Sequence, residues 1–355
     1  MGKIKCDFNV HLDNFVNYEA VKNILMMAEK HKVKAISLME HDALNLYKAN
    51  GVLYNLIKTG EINNYYTGKI VSGIELNCII NDVPISKLKF NYNNYNMHLT
   101  LLDFDCEKME TFKWFDTKFL EKCFLKDVKA IIKILKKLKL EAPKKRYFKY
   151  GTKVGTQVFN FMNENAERKQ KYQLKLGVFE NSVDFNNLFL DPTSKLFFKS
   201  AAIPYLTDVL EFAKSIDARI YISHPCYMNA KFNTTDYLDT LLSLKTDLAF
   251  PYDGLEVNYH LNSVNDTKLL HDYATSHNLD ECGGTGFKYA ISPQNPTGQT
   301  YVVSNGQKSY FVPIVGNMIK TFYETGNGDA LMEESFVNRL SDIREQKRFG
   351  GTEEN

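Results

Sequence analysis

The feature that most constrains this chain is a rhythm: short apolar runs that end in a histidine or a carboxylate, each followed by a stretch with helical spacing. IKCDFNV (4–10) reads as a strand, and YEAVKNILMMAEKH (18–31) sets Val21, Ile24, Leu25 and Ala28 at helical spacing behind an Asn17 cap. VKAISL gives a second strand, DALNLYKANGVLYNLIK a weaker helix, KIVSGIELNCII a third strand and MHLTLLDF a fourth. A long basic helix follows in DVKAIIKILKKLKL (127–140), and the segment from about 145 to 200 has no clear pattern. The alternation then resumes with TDVLEFAKSI, ARIYIS, DYLDTLLSL, GLEVNYH and NDTKLLHDYATSH. This order predicts parallel strands with right-handed crossovers, an α/β barrel or open sheet, with reactive groups at the C-terminal ends of the strands.

With 355 residues and 44% hydrophobic content, the chain can bury one large core or two modest ones, and a single elaborated domain is expected. Past residue 298 the character changes. YVVSNGQKSYFVP (301–313) predicts a hairpin turning at Asn305-Gly306, and a helix over about 330–346 precedes a polar tail, together a C-terminal appendage. The start, MGKIKCDF, lacks the pattern of a secretory leader and no window has the apolar length of a membrane span, so a cytoplasmic protein is expected. Six scattered cysteines without a C-x-x-C pair argue against a zinc ribbon or a disulfide framework. The net charge of +2 makes the whole chain no trap for nucleic acid, although a local patch is open to that role.

The strand ends carry the candidate chemistry. In DFNVHLDNF (7–15), Asp7, Asn9 and His11 share one face of a strand, with Phe8 and Val10 on the other. The second strand runs into Glu40-His41-Asp42, the third contains Gly73-Ile74-Glu75, the fourth opens with His98, ARIYIS delivers His224-Pro225, and a later strand carries Glu256. A lone histidine at a strand end is more often packed than ligating. Recurrence on successive strands is what suggests a metal, and such mixed imidazole and carboxylate sets suit Mn, Zn or Fe.

In these motifs the chain resembles the PHP (polymerase and histidinol phosphatase) phosphoesterases, whose fold is a distorted (β/α)7 barrel around up to three metal ions. The resemblance spans roughly residues 4–297, with the basic helical stretch of about 107–200 as an insertion. Asp7 to His11 stands where the family has D-x-H-x-H, Glu40-His41-Asp42 where it has T-D-H-D, and Gly73 to Glu75 matches G-x-E. His98 matches the mid-chain histidine, Ser223-His224-Pro225 the A-H-P, Gly254 to Val257 the G-I-E-V, and GGTGFKY (283–289) stands where the family closes with G-S-D-x-H. The spacing most resembles the branch acting on nucleoside bisphosphates and on RNA 5′ ends.

The departures shape the expectation. Asn9 replaces the first histidine of H-x-H, Val16 an aspartate, and Gly286 and Lys288 the closing aspartate and histidine. The resemblance therefore implies one firmly held divalent ion at Glu75, His98 and His224, a weakened position at Asn9, His11 and Glu75, and no ion at His41. His41 and Lys288 are then candidates to steady a phosphate, Lys288 as a point charge or as an ordinary solvated lysine. Glu40 and Asp7 are expected to orient neighbours, and Cys226 to be an inert buried thiol.

The implied function is a metal-dependent phosphoesterase acting on a phosphorylated small molecule or a nucleic-acid end. The alternative is a catalytically silent barrel kept as a binding or scaffolding module in a nucleic-acid or replication complex. The lysines of 126–149, with Tyr147, Phe148 and Tyr150 close behind, read either as a nucleic-acid surface or as the wet side of an amphipathic helix.

Overall fold

The computed structural model describes residues 2–12, 16–43, 45–80, 96–108, 112–191, 194–228, 234–247, 252–259, 261–286, 289–292, 301–304, 307–313 and 331–349. Contacts divide the chain into two compact units. One comprises Met1–Asn77, Met97–Thr111 and Thr207–Asn355, the other Cys78–Asn96 and Phe112–Leu206.

The first unit is a mixed α/β assembly. Strand β1 (Lys3–His11) pairs in parallel with β2 (Ala35–Met39), which continues to the short β3 (Lys69–Ile70). A second sheet runs β4 (Gly73–Ile79), β5 (Asn96–Leu102), β6 (Arg219–Ile222), β7 (Gly254–Tyr259) and β8 (Asp280–Gly284) in that order. Helices α1 (Tyr18–Lys30) and α2 (Val52–Lys58) lie between the early strands in sequence. Helix α1 forms as expected, with the Asn17 side chain accepting from Ala20 N at 3.0 Å and Val21, Ile24, Leu25 and Ala28 buried.

Among the described residues the ladders do not close into the expected (β/α)7 barrel. The two sheets meet instead at two narrow points. At one, Glu75 N donates to Glu40 O (3.1 Å) and Asp42 N to Glu75 O (3.0 Å), an isolated parallel bridge between His41 and Glu75. At the other, the end of β8 reaches β1: Asp7 accepts from Thr285 N (2.9 Å) and Thr285 Oγ1 (2.8 Å). A Cβ at Gly284 would come within 2.2 Å of Asp7 Oδ1 and 2.6 Å of Asn9 N, so only glycine permits that approach.

The expectation of parallel strands throughout fails at β5, which pairs antiparallel with β6. The reversal decides where His98 lies. As the third residue of an antiparallel strand it falls beside the C-terminal end of β6, and Ser223 N donates to His98 O at 3.1 Å.

The second unit is helical. Helix α3 (Thr117–Lys137) starts ten residues before the predicted basic run, behind an Asp116 cap that accepts from Lys118 N. The stretch without a sequence pattern holds α4 (Val154–Asn163), α5 (Ala166–Leu176) and α6 (Ser182–Leu190), the latter two capped by Asn165 and Asn181. Val128, Ile131 and Leu135 of α3 pack with Val158, Met162, Tyr172, Phe185 and Phe189 in a core of its own.

Helix α7 (Leu206–Ser215) leads into β6, a short α8 (Pro225–Met228) follows it, and α9 (Thr234–Asp247) and α10 (Val264–Ser276) flank β7 in sequence. Ser263 and Asp266 form a capping box at the start of α10. No helix among the described residues is long and apolar enough to cross a membrane.

The C-terminal segment differs from the sequence expectation. Strands β10 (Tyr301–Ser304) and β11 (Gln307–Pro313) are antiparallel, joined by β9 (Tyr289–Ser292) on the far side of β11. The proposed turn at 305–306 lies outside the described residues. In place of one helix over 330–346 there is β12 (Leu331–Glu333), a single short helix α11 (Glu334–Asn338) and two 3-10 turns. Met332, Phe336, Val337 and Leu340 are spaced like a helical stripe, but the open edge of β1 is satisfied by β12, which pairs Lys3–Lys5 antiparallel. Residues 331–349 therefore adjoin the first sheet, whereas β9, β10 and β11 form a sheet of their own: Phe336 packs edge-on against Phe8 and Tyr221 within the first unit's core.

Candidate metal centre

The strand ends gather four imidazoles around one carboxylate. Glu75 is fully buried on β4, two residues after a close contact: a Cβ at Gly73 would sit 1.9 Å from the Ser37 side-chain Oγ, so a larger residue there would displace the Ser37 side chain. One carboxylate oxygen of Glu75, Oε1, lies 2.6 Å from His98 Nδ1, 3.5 Å from His41 Nδ1 and 3.8 Å from His224 Nε2. The other, Oε2, lies 3.3 Å from His11 Nε2. Two sets of donors result, His11–His41–Glu75 and Glu75–His98–His224, each with its ligand atoms mutually within 4.8 Å.

Burial grades the site. His11, Glu75 and His224 are enclosed, whereas the side chains of His41 and His98 are 27% and 23% exposed and form its open side. Desolvation alone would raise the Glu75 carboxyl, but the imidazoles of His11 and His98, helped by His224 and His41, hold it well below the usual carboxylate range. Glu75 is thus the negative centre of the site.

His224 shows how the donors are aimed. Its backbone lies in the left-handed region (φ 29°) at the end of β6, and its N–H donates to Glu256 Oε2 at 2.7 Å. The same oxygen lies 3.0 Å from Nδ1, which fixes the proton there and leaves a lone pair on Nε2, 3.3 Å from His98 Nδ1. Tyr259 stacks on the ring at a centroid separation of 4.7 Å. Such a non-glycine conformation costs about 1–3 kcal/mol and persists only where contacts over-determine it. Here Glu256 and Tyr259 do so.

These features fit a divalent transition ion. A nitrogen lone pair, a buried ionised carboxylate and further imidazoles converge within ligand range, and one histidine is held by a carboxylate behind it, the arrangement seen at His-ligated metals.

Asn9 and His41 depart from the sequence expectation in opposite directions. The Asn9 amide nitrogen donates to Glu256 Oε1, and its amide oxygen is buried with no hydrogen-bond partner among the described residues. Asn9 is therefore joined to the group behind His224. His41, which the resemblance left without partners, stacks on His11 with centroids 4.2 Å apart and planes 10° from parallel, so it joins Glu75 and His11 in a possible donor set. Glu40 turns to the following loop, accepting from Asn45 Nδ2 (2.9 Å) and Leu46 N (2.6 Å). Asp7 binds Thr285 as described, and Lys288 lies outside the described residues. Cys226, half-buried on α8, is pushed by burial up to about 11.

Sequence reasoning named Glu256 as a strand-end carboxylate without giving it a task, and did not single out Tyr259 or Thr285. The signal for Glu256 was available in its position on β7, next in the sheet to the strand that delivers His224.

No family model matches the sequence, and no curated protein matches it. Two solved structures are similar to it over most of the chain. A candidate metal-dependent phosphoesterase from Bifidobacterium adolescentis has 14% identity, with 80% of this chain and 86% of that chain covered and a TM-score of 0.41. An amidohydrolase from Chromobacterium violaceum, solved with bound sulfate and no metal, has 13% identity, 79% and 86% coverage and a TM-score of 0.42. At that level neither neighbour decides the chemistry of this site; its own side chains must.

Proposed function

We propose that the chain is a metal-dependent phosphoesterase with a PHP-like, incompletely closed barrel and a reaction centre at Glu75. The observation that carries this reading is the sharing of one buried, ionised carboxylate by two imidazole sets, one of them oriented by Glu256. In this reading Glu75, His98 and His224 would hold the firmer ion, and His11, His41 and the same Glu75 carboxylate would provide a second, weaker place. A Mn, Zn or Fe ion bound there supplies Lewis-acid charge to a phosphoryl oxygen and acidifies water.

The remaining work belongs to the chain. Glu256 holds the His224 ring by Nδ1, so that Nε2 faces Glu75 and His98. His41, on the open side, is placed to hydrogen-bond a phosphoryl oxygen or to give a proton to the leaving oxygen. Lys288, four residues beyond β8 in sequence, is the cation assigned to the phosphate. A phosphorylated nucleotide or nucleic-acid end is the substrate class that the motif spacing favours.

The test is hydrolysis of a simple aryl phosphate and of 5′-phosphorylated oligonucleotides by protein loaded with Mn, Zn or Fe. Activity lost in both His98→Ala and His224→Ala, and in chelator-treated protein, supports the reading. Protein that folds normally, retains no ion after exposure to all three metals and hydrolyses neither substrate belongs instead to the silent binding alternative.

A further inference from the structure

The helical unit differs in charge from everything around it. Residues 112–206 hold 20 Lys and Arg against 9 Asp and Glu, a net +11, while the rest of the chain carries −9. A nearly neutral protein thus conceals a strongly basic module.

Much of that charge is concentrated on one groove. Lys129, Ile132, Lys133, Lys136 and Lys137 of α3, with Lys145 from the turn that follows, line a cavity of about 530 Å³. Lys129, Lys133 and Lys137 recur every four residues, so they stand in a row on one helix face, rising about 6 Å per step. All five lysines are exposed, and Ile132 gives the groove a half-buried apolar floor.

The surrounding acids are committed elsewhere. Glu141 and Glu164 pair with Arg168, Glu167 with Lys171, Asp116 caps α3, and Asp127 accepts from Ser200 and Ala201. Among the described residues no carboxylate lies within ion-pair distance of the five groove lysines. Like charges in such a row repel one another, and an ordinary solvated helix face relieves this by interspersing acids at i+3 and i+4. This face does not.

We propose that the groove binds single-stranded nucleic acid through its phosphate backbone, independently of base sequence and of the metal centre. A phosphodiester chain supplies the repeated negative charge that a row of lysines requires, whereas a single phosphate would engage one or two of them. The groove is open and carries the apolar side chain of Ile132 on its floor, a surface for the exposed bases of a single strand.

The experiment is fluorescence anisotropy of the full chain with a labelled oligothymidylate or oligouridylate in chelator, so that hydrolysis does not interfere and failure of the metal centre does not bear on the result. Five phosphate contacts predict a slope of log K against log salt of about −3.5. The Lys133→Glu, Lys137→Glu double variant is expected to bind at least tenfold more weakly, and the corresponding alanine pair to lie between it and the wild type, with slopes reduced in step. Unchanged melting curves confirm that both variants fold.

Absence of binding at low salt, binding that the substitutions leave intact, or a flat salt response overturns the proposal. So does equal competition by polyglutamate or by vesicles of anionic phospholipid, since the groove would then respond to charge alone or serve a protein or membrane partner.

Discussion

Glu256 and His224 meet twice through a single oxygen, which accepts the backbone N–H at 2.7 Å and faces Nδ1 at 3.0 Å. Backbone and ring are thereby fixed together. Glu256→Gln retains an acceptor but allows the amide to present its nitrogen to Nδ1, so the ring loses its tautomer. Metal affinity is expected to fall about 10–100-fold, as for other partners behind a ligating histidine. Competition against a chelating dye reads this directly, and an unchanged affinity would show the contact to be structural only.

The two donor sets share Glu75 but differ in their histidines. Elemental analysis after metal loading and desalting should therefore separate them. Glu75→Ala removes all bound ion, His98→Ala removes the firmly held one, and His41→Ala leaves that ion in place. Equal loss in His41→Ala and His98→Ala would mean that the four imidazoles act as one site.

Asp127 permits a pH test in the helical unit. Burial raises its carboxyl above the usual value, against the hydrogen bonds from Ser200 and Ala201 that lower it. An acid whose folded-state value is raised favours folding while protonated, and this contribution is lost as pH rises from the unfolded value, about 3.9, through the folded one. Asp127→Asn is expected to gain on the wild type in thermal melts across that interval and to run parallel above it. Asp127→Ala instead costs about 1–3 kcal/mol, because the Ala201 N–H loses its acceptor.

Cys226 is pushed up to about 11, and Cys6 to about 12, both mainly by burial. Alkylation of the native protein is expected to be slow at neutral pH and to centre on half-buried Cys226. Its rate should climb about tenfold per pH unit past pH 9, where an ordinary thiol near 8.5 has levelled off. Cys226→Ala should remove that phase. Rapid alkylation at pH 7 would contradict the shielded environment.

Phe336 joins β1 and β6 through edge-on contacts with Phe8 and Tyr221 and is 4% exposed. Phe336→Ala is expected to destabilise the first unit by about 3–5 kcal/mol in urea titration. A cost below 1 kcal/mol would mean that the C-terminal segment is not part of that core.

The strand ends were readable because imidazoles and carboxylates interrupt otherwise apolar runs, and His11, Glu75, His98 and His224 do lie together. What could not be read were relations that depend on pairing direction and long-range contact. The antiparallel setting of β5 leaves no trace in its own residues, since a buried strand looks alike in either sense. Asn9 resembles a weakened ligand until Glu256, 247 positions away, is seen to take its amide. His41 looked isolated because Val16 and Gly286 stand where partners were expected, whereas stacking on His11 needs no further donor. The C-terminal stripe suggested a helix because local spacing says nothing about an unpaired edge elsewhere.

That edge has a consequence for biosynthesis. Lys3–Lys5 are synthesised more than 300 residues before their partner Leu331–Glu333. At about 5–20 residues per second β1 waits on the order of 15–65 s with one side open to any passing strand. Lys69, whose ammonium binds the carbonyls of Val337 and Leu340, then latches the late arrival. Completion of the β1 edge thus waits on Leu331–Glu333, and slowing translation between the two lengthens the interval in which a chaperone must guard that strand.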